Sequence, residues 1–295
     1  MYNKSRYDIF LDFFIYVIII LLSLACLLPF THIVFASFSN PESILSKVGI
    51  YLVPDGFTTK GYELVFRNRD IWSSYRNTLV YVLAGTGATM VVTTMAGYAL
   101  SRKILFGNAI MFVLTFTILF SGGLVPFYLL VVDTLGWRNS MFSVIVPGTL
   151  NVFHMIILRT SFKTIPDSLI ESAKMDGAHD FMIFVRIILP LSTATLAVIA
   201  LFNAVGRWNE WFNALIFLND RRKFPLQLVL REIIITNDTS SMVTAGQGID
   251  YASMDRFRPL VRFCTIVVAT LPIMCIYPFL QKYFIKGVMI GSIKE

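Results

Sequence analysis

The side chains of this protein that could perform chemistry do not combine into a catalytic or metal-binding set. Its three histidines are scattered, without the short spacing of zinc ligands: His32, His154 and His179. Its three cysteines all lie in apolar stretches and have neither metal-ligand nor redox spacing: Cys26, Cys264 and Cys275. The sequence contains no Gly-x-x-x-x-Gly-Lys-Ser/Thr phosphate-binding loop. We therefore expect no metal, no cofactor and no enzymatic activity on this chain.

Polar residues cluster in one otherwise apolar stretch. In a continuous helix, at 100° per residue, they share one narrow arc: Asn203, Gly206, Arg207, Glu210 and, at its edge, Asn213. Arg207 and Glu210 are three residues apart and can pair. Ionisable groups within a membrane span usually face an aqueous cavity, so the arc is a candidate lining of a transport pathway. The alternative is that Arg207 extends to the membrane interface, where Trp208 and Trp211 would anchor the helix.

Three more residues are pathway candidates: Asn209, Gly122 and Gly123. Asn209 belongs to the same polar stretch. The two glycines, together with Pro126, interrupt another apolar stretch, and broken helices often line transport sites. An ordinary kink that lets helices pack is an equally good explanation of these glycines.

The elements that must position these residues are long and apolar. Hydrophobic residues make up 56% of the 295 residues, charged residues 15%, and the mean hydropathy is +0.70. Six stretches of about 18 residues or more are long enough to span a membrane: about 13–34, 77–100, 109–132, 141–158, 187–218 and 263–281. Lipid offers the backbone no hydrogen bonds, so these stretches predict six transmembrane helices in a single all-α membrane domain, residues 1–295. The first stretch is long for a signal peptide and lacks a clean cleavage site, so it is expected to be retained.

The basic residues predict an orientation in the membrane. The net charge is +7, but the longest basic run is Arg221-Arg222-Lys223, which does not favour nucleic-acid binding. Loop 101–108 carries Arg102 and Lys103 without an acidic residue. Basic short loops and termini favour the cytoplasmic side, so both termini are predicted to be cytoplasmic. The long loops 39–76 and 219–262 would then lie outside, and segment 225–235 is either an amphipathic helix or a short strand.

One loop has the pattern of two short helices, and we call residues 166–190 the two-helix segment. Ser168 and Glu171 form a capping box, which predicts a helix that begins at Leu169. Gly177 can end this helix in a left-handed turn before a second helix leads towards Pro190. Leu169, Ala173 and Met175–Asp176 would be available to a partner. From these features alone, an ordered connecting loop is an equally good interpretation.

The spacing within the two-helix segment resembles a known signature. Glu171, Ala173, Gly177, Ile187, Leu189 and Pro190 resemble the Glu-Ala-Ala…Gly…Ile-x-Leu-Pro signature of permease subunits in binding-protein-dependent ABC importers, with Ser172 in place of the second Ala. The likeness extends over nearly the whole chain. It includes Ser121-Gly-Gly-Leu-Val-Pro, Arg159-Thr-Ser-Phe-Lys-Thr-Ile-Pro, Asp176-Gly-Ala and Trp208-Asn-Glu-Trp, and is strongest to the carbohydrate-uptake branch, particularly oligo- and polysaccharide permeases.

This resemblance implies that the two-helix segment enters a cleft of a cytoplasmic ATPase. The residues that match the family's contact and turn positions are Glu171, Ser172, Ala173, Asp176, Gly177 and Ala178. The implied partners are a second homologous permease, two ATPase subunits that hold ATP and Mg²⁺, an extracellular solute-binding protein, membrane lipid and a carbohydrate substrate. A stand-alone secondary transporter or channel would need ion-coupling carboxylates inside its spans, and only Glu210 comes close. A membrane enzyme would need a convergent catalytic set.

Overall fold

The computed structural model describes residues 6–47, 49–235 and 251–292, and this part of the chain is helical without a strand. The helices are α1 Arg6–Ser37, α2 Pro41–Ser46, α3 Lys60–Arg67, α4 Arg69–Ser101, α5 Gly107–Leu119, α6 Leu124–Leu129, α7 Phe142–Ile145, α8 Val152–Lys163, α9 Asp167–Met175, α10 Asp180–Ile183, α11 Leu189–Leu191, α12 Thr193–Trp208, α13 Phe212–Phe217, α14 Leu226–Ile235 and α15 Tyr251–Ser292. π turns follow α6 and α10, at Leu130–Thr134 and Phe184–Ile188. The predicted all-α fold is confirmed.

The first of two compact units contains Met1–Arg69 and Glu232–Leu271. Helix α3 packs closely against α15 because Gly61 has no side chain: a Cβ there would be 2.6 Å from the Sγ atom of Cys264. The Cys264 thiol donates to the carbonyl oxygen of Ser37 at 3.3 Å, and the Ser37 hydroxyl is 2.7 Å from that of Tyr62. These contacts join the end of α1 to α3 and α15. Cys264 is therefore a buried packing residue, in agreement with its apolar setting in the sequence.

The second unit contains Asp70–Arg231 and Pro272–Glu295. One of its cores joins α8, α9, α10 and α12 through eight buried side chains: Leu158, Phe162, Ile165, Ile170, Ile183, Phe184, Ile188 and Ile199. Another core holds Tyr81, Val144, Ala214, Leu218 and Leu228, from α4, α7, the α13 region and α14. Segment 225–235, for which helix and strand were both open, is thus mainly helical, as α14. All the candidate functional residues lie in this unit.

Three helices are long and apolar enough to cross a membrane without interruption: Tyr7–Ser37, Arg69–Ser101 and Arg256–Ile276. Two further candidates are bent pairs, Gly107–Leu119 with Leu124–Thr134 at 111°, and Asp180–Leu191 with Thr193–Trp208 at 84°. The described residues therefore give three to five candidate spans rather than six. The stretches predicted as the third and fifth spans coincide with these bent pairs, because Gly122-Gly123 interrupts one and the chain bends at Ser192 in the other.

The prediction of one helix over 141–158 is wrong. Helix α7 ends at Ile145, α8 begins at Val152, and residues 146–151 between them are not helical. Pro147 and Gly148 explain the break, since proline lacks an amide hydrogen and Gly148 has a left-handed φ of +75°. Asn151 then starts α8 by accepting a hydrogen bond from the His154 amide at 3.0 Å. The backbone here turns where hydropathy alone predicted a continuous span.

Candidate functional site

The first helix of the two-helix segment begins earlier than its capping box predicts. Helix α9 starts at Asp167, and no side chain caps it, so Ser168 is an internal residue. Pro166 is the reason: its φ is fixed and its ψ of 132° is extended, which makes it the last non-helical residue. Asp167 brings a carboxylate to the first turn, where the helix dipole favours negative charge, and its Oδ1 atom lies 3.5 Å from Nη1 of Arg102.

The predicted left-handed turn at Gly177 is confirmed. Its φ is +82°, and the surrounding hydrogen bonds form a Schellman motif. The Ala178 amide donates to the Ala173 carbonyl at 2.9 Å, and the Gly177 amide donates to the Lys174 carbonyl at 3.0 Å. His179 follows at once and caps α10 by accepting from the Met182 amide at 3.3 Å. Two short helices are thus joined by a hydrogen-bonded left-handed turn.

The two-helix segment has an inner and an outer side. Ile170, Ile183 and Phe184 are buried in the core of the second unit, and Ala173 and Ala178 pack partly against it. On the outer side, the side chains of Leu169, Phe181 and Met175 are 46%, 61% and 88% exposed. The remaining candidate contact residues are exposed as well: Glu171, Ser172, Asp176 and Gly177. Ala173, which the sequence placed with Leu169 and Met175, is therefore only partly accessible.

Contacts to the end of α4 hold the two-helix segment in place. The Tyr98 hydroxyl donates to the Asp180 carbonyl at 3.3 Å, and the Tyr98 ring lies 4.9 Å from that of Phe184. Within the segment, Lys174 Nζ is 3.1 Å from Asp180 Oδ1. Together with the Arg102–Asp167 pair, these contacts connect both short helices to a long apolar helix.

The predicted polar arc is not continuous. Helix α12 ends at Trp208 and the next helix begins at Phe212, so the residues of the arc do not all share one helix face. Glu210 lies between the two helices, and its Oε1 atom accepts from the Asn213 amide at 2.9 Å, at the start of α13. The exposed Asn209 side chain donates back to the Val205 carbonyl at 3.1 Å. Arg207 and Glu210 bind different groups instead of each other.

Asn203 joins two helices. Its side chain is buried, and its Nδ2 atom lies 2.8 Å from the Ile199 carbonyl oxygen and 3.2 Å from Nδ1 of His154 on α8. The His154 ring is also stacked on Phe202, with ring centroids 6.1 Å apart. One hydrogen bond thus joins Asn203 on α12 to His154 on α8.

Arg207 has a role that the sequence did not predict. Its guanidinium donates to the carbonyl oxygens of Val144 at 2.6 Å and Pro147 at 3.2 Å. These carbonyls lie at the break after α7, where the helix no longer supplies amide donors. One feature of the sequence indicates that carbonyl groups here need a donor. The Pro147-Gly148 pair breaks the helix and leaves these carbonyls without helical partners.

The glycine pair and the two tryptophans have different surroundings. Gly122 and Gly123 are exposed at the sharp turn between α5 and α6, where Gly123 has a φ of +82° and a Cβ on Gly122 would meet nothing within 4 Å. Trp208 is buried, makes an edge contact with Tyr75 at 6.1 Å, and lines an apolar cavity of about 320 Å³. Trp211 packs under the Arg231 guanidinium at 4.6 Å. The glycine pair is thus exposed at a turn, whereas both tryptophans pack against neighbouring side chains.

Similarity to characterised proteins decides the family. The chain is 40% identical over 288 residues to the polygalacturonan/rhamnogalacturonan transport system permease protein YtcP of Bacillus subtilis (strain 168), covering 96% of this chain and 98% of that relative. This chain belongs to the sugar ABC transport permeases. The permease is also 38% identical over 269 residues to protein LplC of the same organism, covering 91% of this chain and 89% of LplC.

A solved structure extends the likeness to three dimensions. The permease is similar to a bacterial ABC transporter involved in the import of the acidic polysaccharide alginate, with a TM-score of 0.86, 28% identity, and coverage of 96% of this chain and 100% of that one. No protein-family model matches the sequence. The resemblance that the two-helix segment suggested is thus confirmed, and the protein is a membrane permease of a sugar importer that has further components.

Proposed function

We propose that this permease is the membrane subunit of an ATP-driven importer of an oligo- or polysaccharide. It pairs with a second homologous permease, and two cytoplasmic ATPase subunits bind ATP and Mg²⁺ and hydrolyse the nucleotide. An extracellular solute-binding protein delivers the sugar. Both termini and the two-helix segment face the cytoplasm. This chain catalyses no reaction and binds no cofactor itself.

The observation that supports ATPase docking is that one face of α9 is buried in the core while the other is exposed. Leu169 and Met175 point outwards, whereas Ile170 on the same helix is buried in the core. Exposed apolar side chains beside exposed carboxylates suit a protein groove better than water. The candidate contacts are Glu171, Ser172, Asp176 and Gly177, while Ala173 and Ala178 fix the helix from within.

The core behind the two-helix segment connects it to α12, so that a displacement of the segment can be transmitted to that helix. Ile183, Phe184 and Ile188 pack in one cluster with Ile199 on α12. Packed side chains move together, so a displacement of the segment by closing ATPases would be passed to α12. Since α12 carries Asn203 and Arg207, the displacement would reach the proposed pathway. Alternating access of the two paired permeases follows from this coupling.

For the transport pathway, we assign two kinds of role. Asn203 and Arg207 hold the helices around it, because their polar atoms are bonded to His154 and to the carbonyls of segment 146–151. The lining residues are Asn209, Glu210, Asn213, Gly122 and Gly123. Amide and carboxylate groups at such positions suit the hydroxyl groups of a sugar.

The proposed cargo is a polysaccharide fragment, and an acidic one is favoured. The support comes from similarity to the polygalacturonan/rhamnogalacturonan permease and to the importer of acidic alginate. The basic run of this chain does not add to that support, since its side chains have internal partners. Arg221 pairs with Asp70 at 2.9 Å, Arg222 with Asp220 at 3.0 Å, and Lys223 donates to the Asn139 carbonyl at 2.6 Å.

Co-purification tests the proposal. The permease, expressed with its transporter components and isolated in mild detergent, should bring an ATPase subunit with it, and the complex should hydrolyse ATP. Gly177→Trp, placed on the outer side of the turn, should remove the ATPase and abolish uptake while the permease still elutes as a folded protein. If no nucleotide-binding subunit co-purifies, or if Gly177→Trp leaves both the complex and transport intact, the proposal fails.

A further inference from the structure

A basic cleft lies beside the two-helix segment, and most of the residues that line it have no role in the proposed transport function. It opens between residues 100–108, the end of α8 and helix α9, with a volume of about 950 Å³. Five basic side chains line this cleft: Arg102, Lys103, Arg159, Lys163 and Lys174. Three carboxylates share it, so the lining carries an excess of positive charge. We call it the basic cleft.

The carboxylates leave part of this positive charge unpaired. Asp167 lies 3.5 Å from Arg102, and Asp180 lies 3.1 Å from Lys174, so two of the three acids already have a cation. The third is Glu171. Lys103 and Lys163 are exposed, and the ammonium group of neither makes an ion pair or hydrogen bond with another described residue.

Arg102 has donor capacity left. Its Nε and Nη2 atoms are buried and find no acceptor among the described residues, although Nη1 faces Asp167 and the guanidinium lies over the Tyr98 ring at 5.2 Å. A buried N–H without an acceptor is costly, and a guanidinium binds phosphate oxygens well. Arg159 also points to the cleft, with its Nε bonded to the Leu100 carbonyl at 2.8 Å. A phosphate group bound by the exposed Lys103 and Lys163 would lie within the positive field of these two guanidinium groups.

The surface next to the cleft is apolar. Directly after Lys103 come Ile104, Leu105 and Phe106, of which the last two are 81% and 73% exposed. They lead into α5, an apolar helix with no buried residue. A soluble phosphate would use the cations but not this surface, whereas a lipid would use both.

We propose that the basic cleft binds the phosphate headgroup of an anionic membrane lipid, whose acyl chains lie along Leu105, Phe106 and α5. Lysine and arginine side chains close to the membrane surface attract the anionic headgroups of lipids. Because Asp167, Glu171 and Lys174 of α9 line the same cleft, the lipid would contact the helix that bears the proposed ATPase surface. This inference goes beyond the import function and does not require it.

Lipid binding to the purified transporter complex tests the proposal. Native mass spectrometry would count bound phosphatidylglycerol and phosphatidylcholine for the wild-type complex, the single variants Lys103→Gln and Lys163→Gln, the double variant Lys103→Gln/Lys163→Gln, and a control, Arg186→Gln, which removes one positive charge as each single variant does. Arg186 is an exposed basic residue of the same unit outside the cleft lining. We expect selective phosphatidylglycerol binding that weakens at least fivefold in the double variant, is unchanged in Arg186→Gln, and returns in Lys103→Arg/Lys163→Arg.

Two further outcomes distinguish the sources of phosphate. Inorganic phosphate at millimolar concentration should not displace phosphatidylglycerol, and if it does so fully the site is one for a free anion and the lipid proposal is wrong. Equal binding of both lipids, or an equal loss in the double variant and in Arg186→Gln, would show only diffuse membrane electrostatics and would also overturn it. Both lysines are exposed, so their replacement does not disturb the core.

Discussion

Arg207 lies directly against Gly85, and a Cβ on this glycine would be 2.9 Å from the Nε atom of the arginine. Past the glycine, the guanidinium reaches the carbonyl oxygens of Val144 and Pro147. One side chain from α12 thus crosses α4 and satisfies the backbone at the end of α7. Free carbonyls inside a membrane are costly, so this arrangement permits a broken helix where hydropathy predicts a continuous one.

A side chain at position 85 should therefore destabilise the permease. Gly85→Leu must displace Arg207 and lose its hydrogen bonds, at a cost of about 2 kcal/mol or more. The control is Gly87→Leu in the same helix, because a Cβ at Gly87 meets nothing within 4 Å. Thermal unfolding in detergent should show a lower Tm for Gly85→Leu and a nearly unchanged Tm for Gly87→Leu. Equal Tm values for the two variants would contradict the role of the Gly85–Arg207 contact.

Alanine substitutions of Asn203 and Asn209 should have different effects, the first on stability and the second on transport. Asn203→Ala removes a buried amide and leaves His154 without its partner, which should lower stability by about 1–3 kcal/mol. Asn209→Ala removes an exposed side chain bonded only to its own helix, so the Tm should stay constant while the apparent KM for uptake rises several-fold.

Thr117→Ala serves as the control for Asn209. Thr117 is also exposed, on α5, and its hydroxyl donates to the Leu114 carbonyl of its own helix at 2.7 Å. This variant should leave the uptake kinetics unchanged. If Asn209→Ala behaves in the same way, Asn209 does not line the pathway.

The left-handed turn at Gly177 should be needed for transport beyond its effect on stability. Gly177→Ala places a side chain at a φ of +82°, which costs about 1 kcal/mol. Gly136→Ala introduces a comparable strain at a φ of +67°, also with open space around the Cβ, but outside the two-helix segment. Both variants should lose similar stability, and only Gly177→Ala should reduce ATP-dependent uptake. If Gly136→Ala lost uptake to the same extent, backbone strain alone would explain the loss of uptake in Gly177→Ala, and the prediction would be wrong.

The sequence predicted best those features that depend on one local signal. Uninterrupted apolar residues gave α1 and α4, and the predicted span 263–281 lies within α15. Gly177 predicted its own left-handed turn. The family resemblance depended on the type and spacing of a few residues in the two-helix segment, and it needed no knowledge of their contacts.

Two of the errors share one cause, the assumption that a helix continues. The polar arc placed Glu210 on the same face as Arg207, but α12 ends at Trp208. The stretch 141–158 is mostly apolar and uncharged, and its average hydropathy conceals the Pro147-Gly148 break. The partner of Arg207 is a backbone group brought close by packing, and no pattern of side-chain types contains that information. Nor could the sequence pattern predict that Ala173 faces inwards, because its burial depends on the core behind α9.

Photo-crosslinking from position 175 tests directly whether the two-helix segment contacts an ATPase. A benzoylphenylalanine in place of Met175, whose side chain is 88% exposed, should form an adduct with the ATPase subunit in an active transporter. The same group in place of Phe112, which is 72% exposed on α5, should form none. We expect an ATPase adduct at position 175 alone. No adduct there, or equal adducts at both positions, would contradict it.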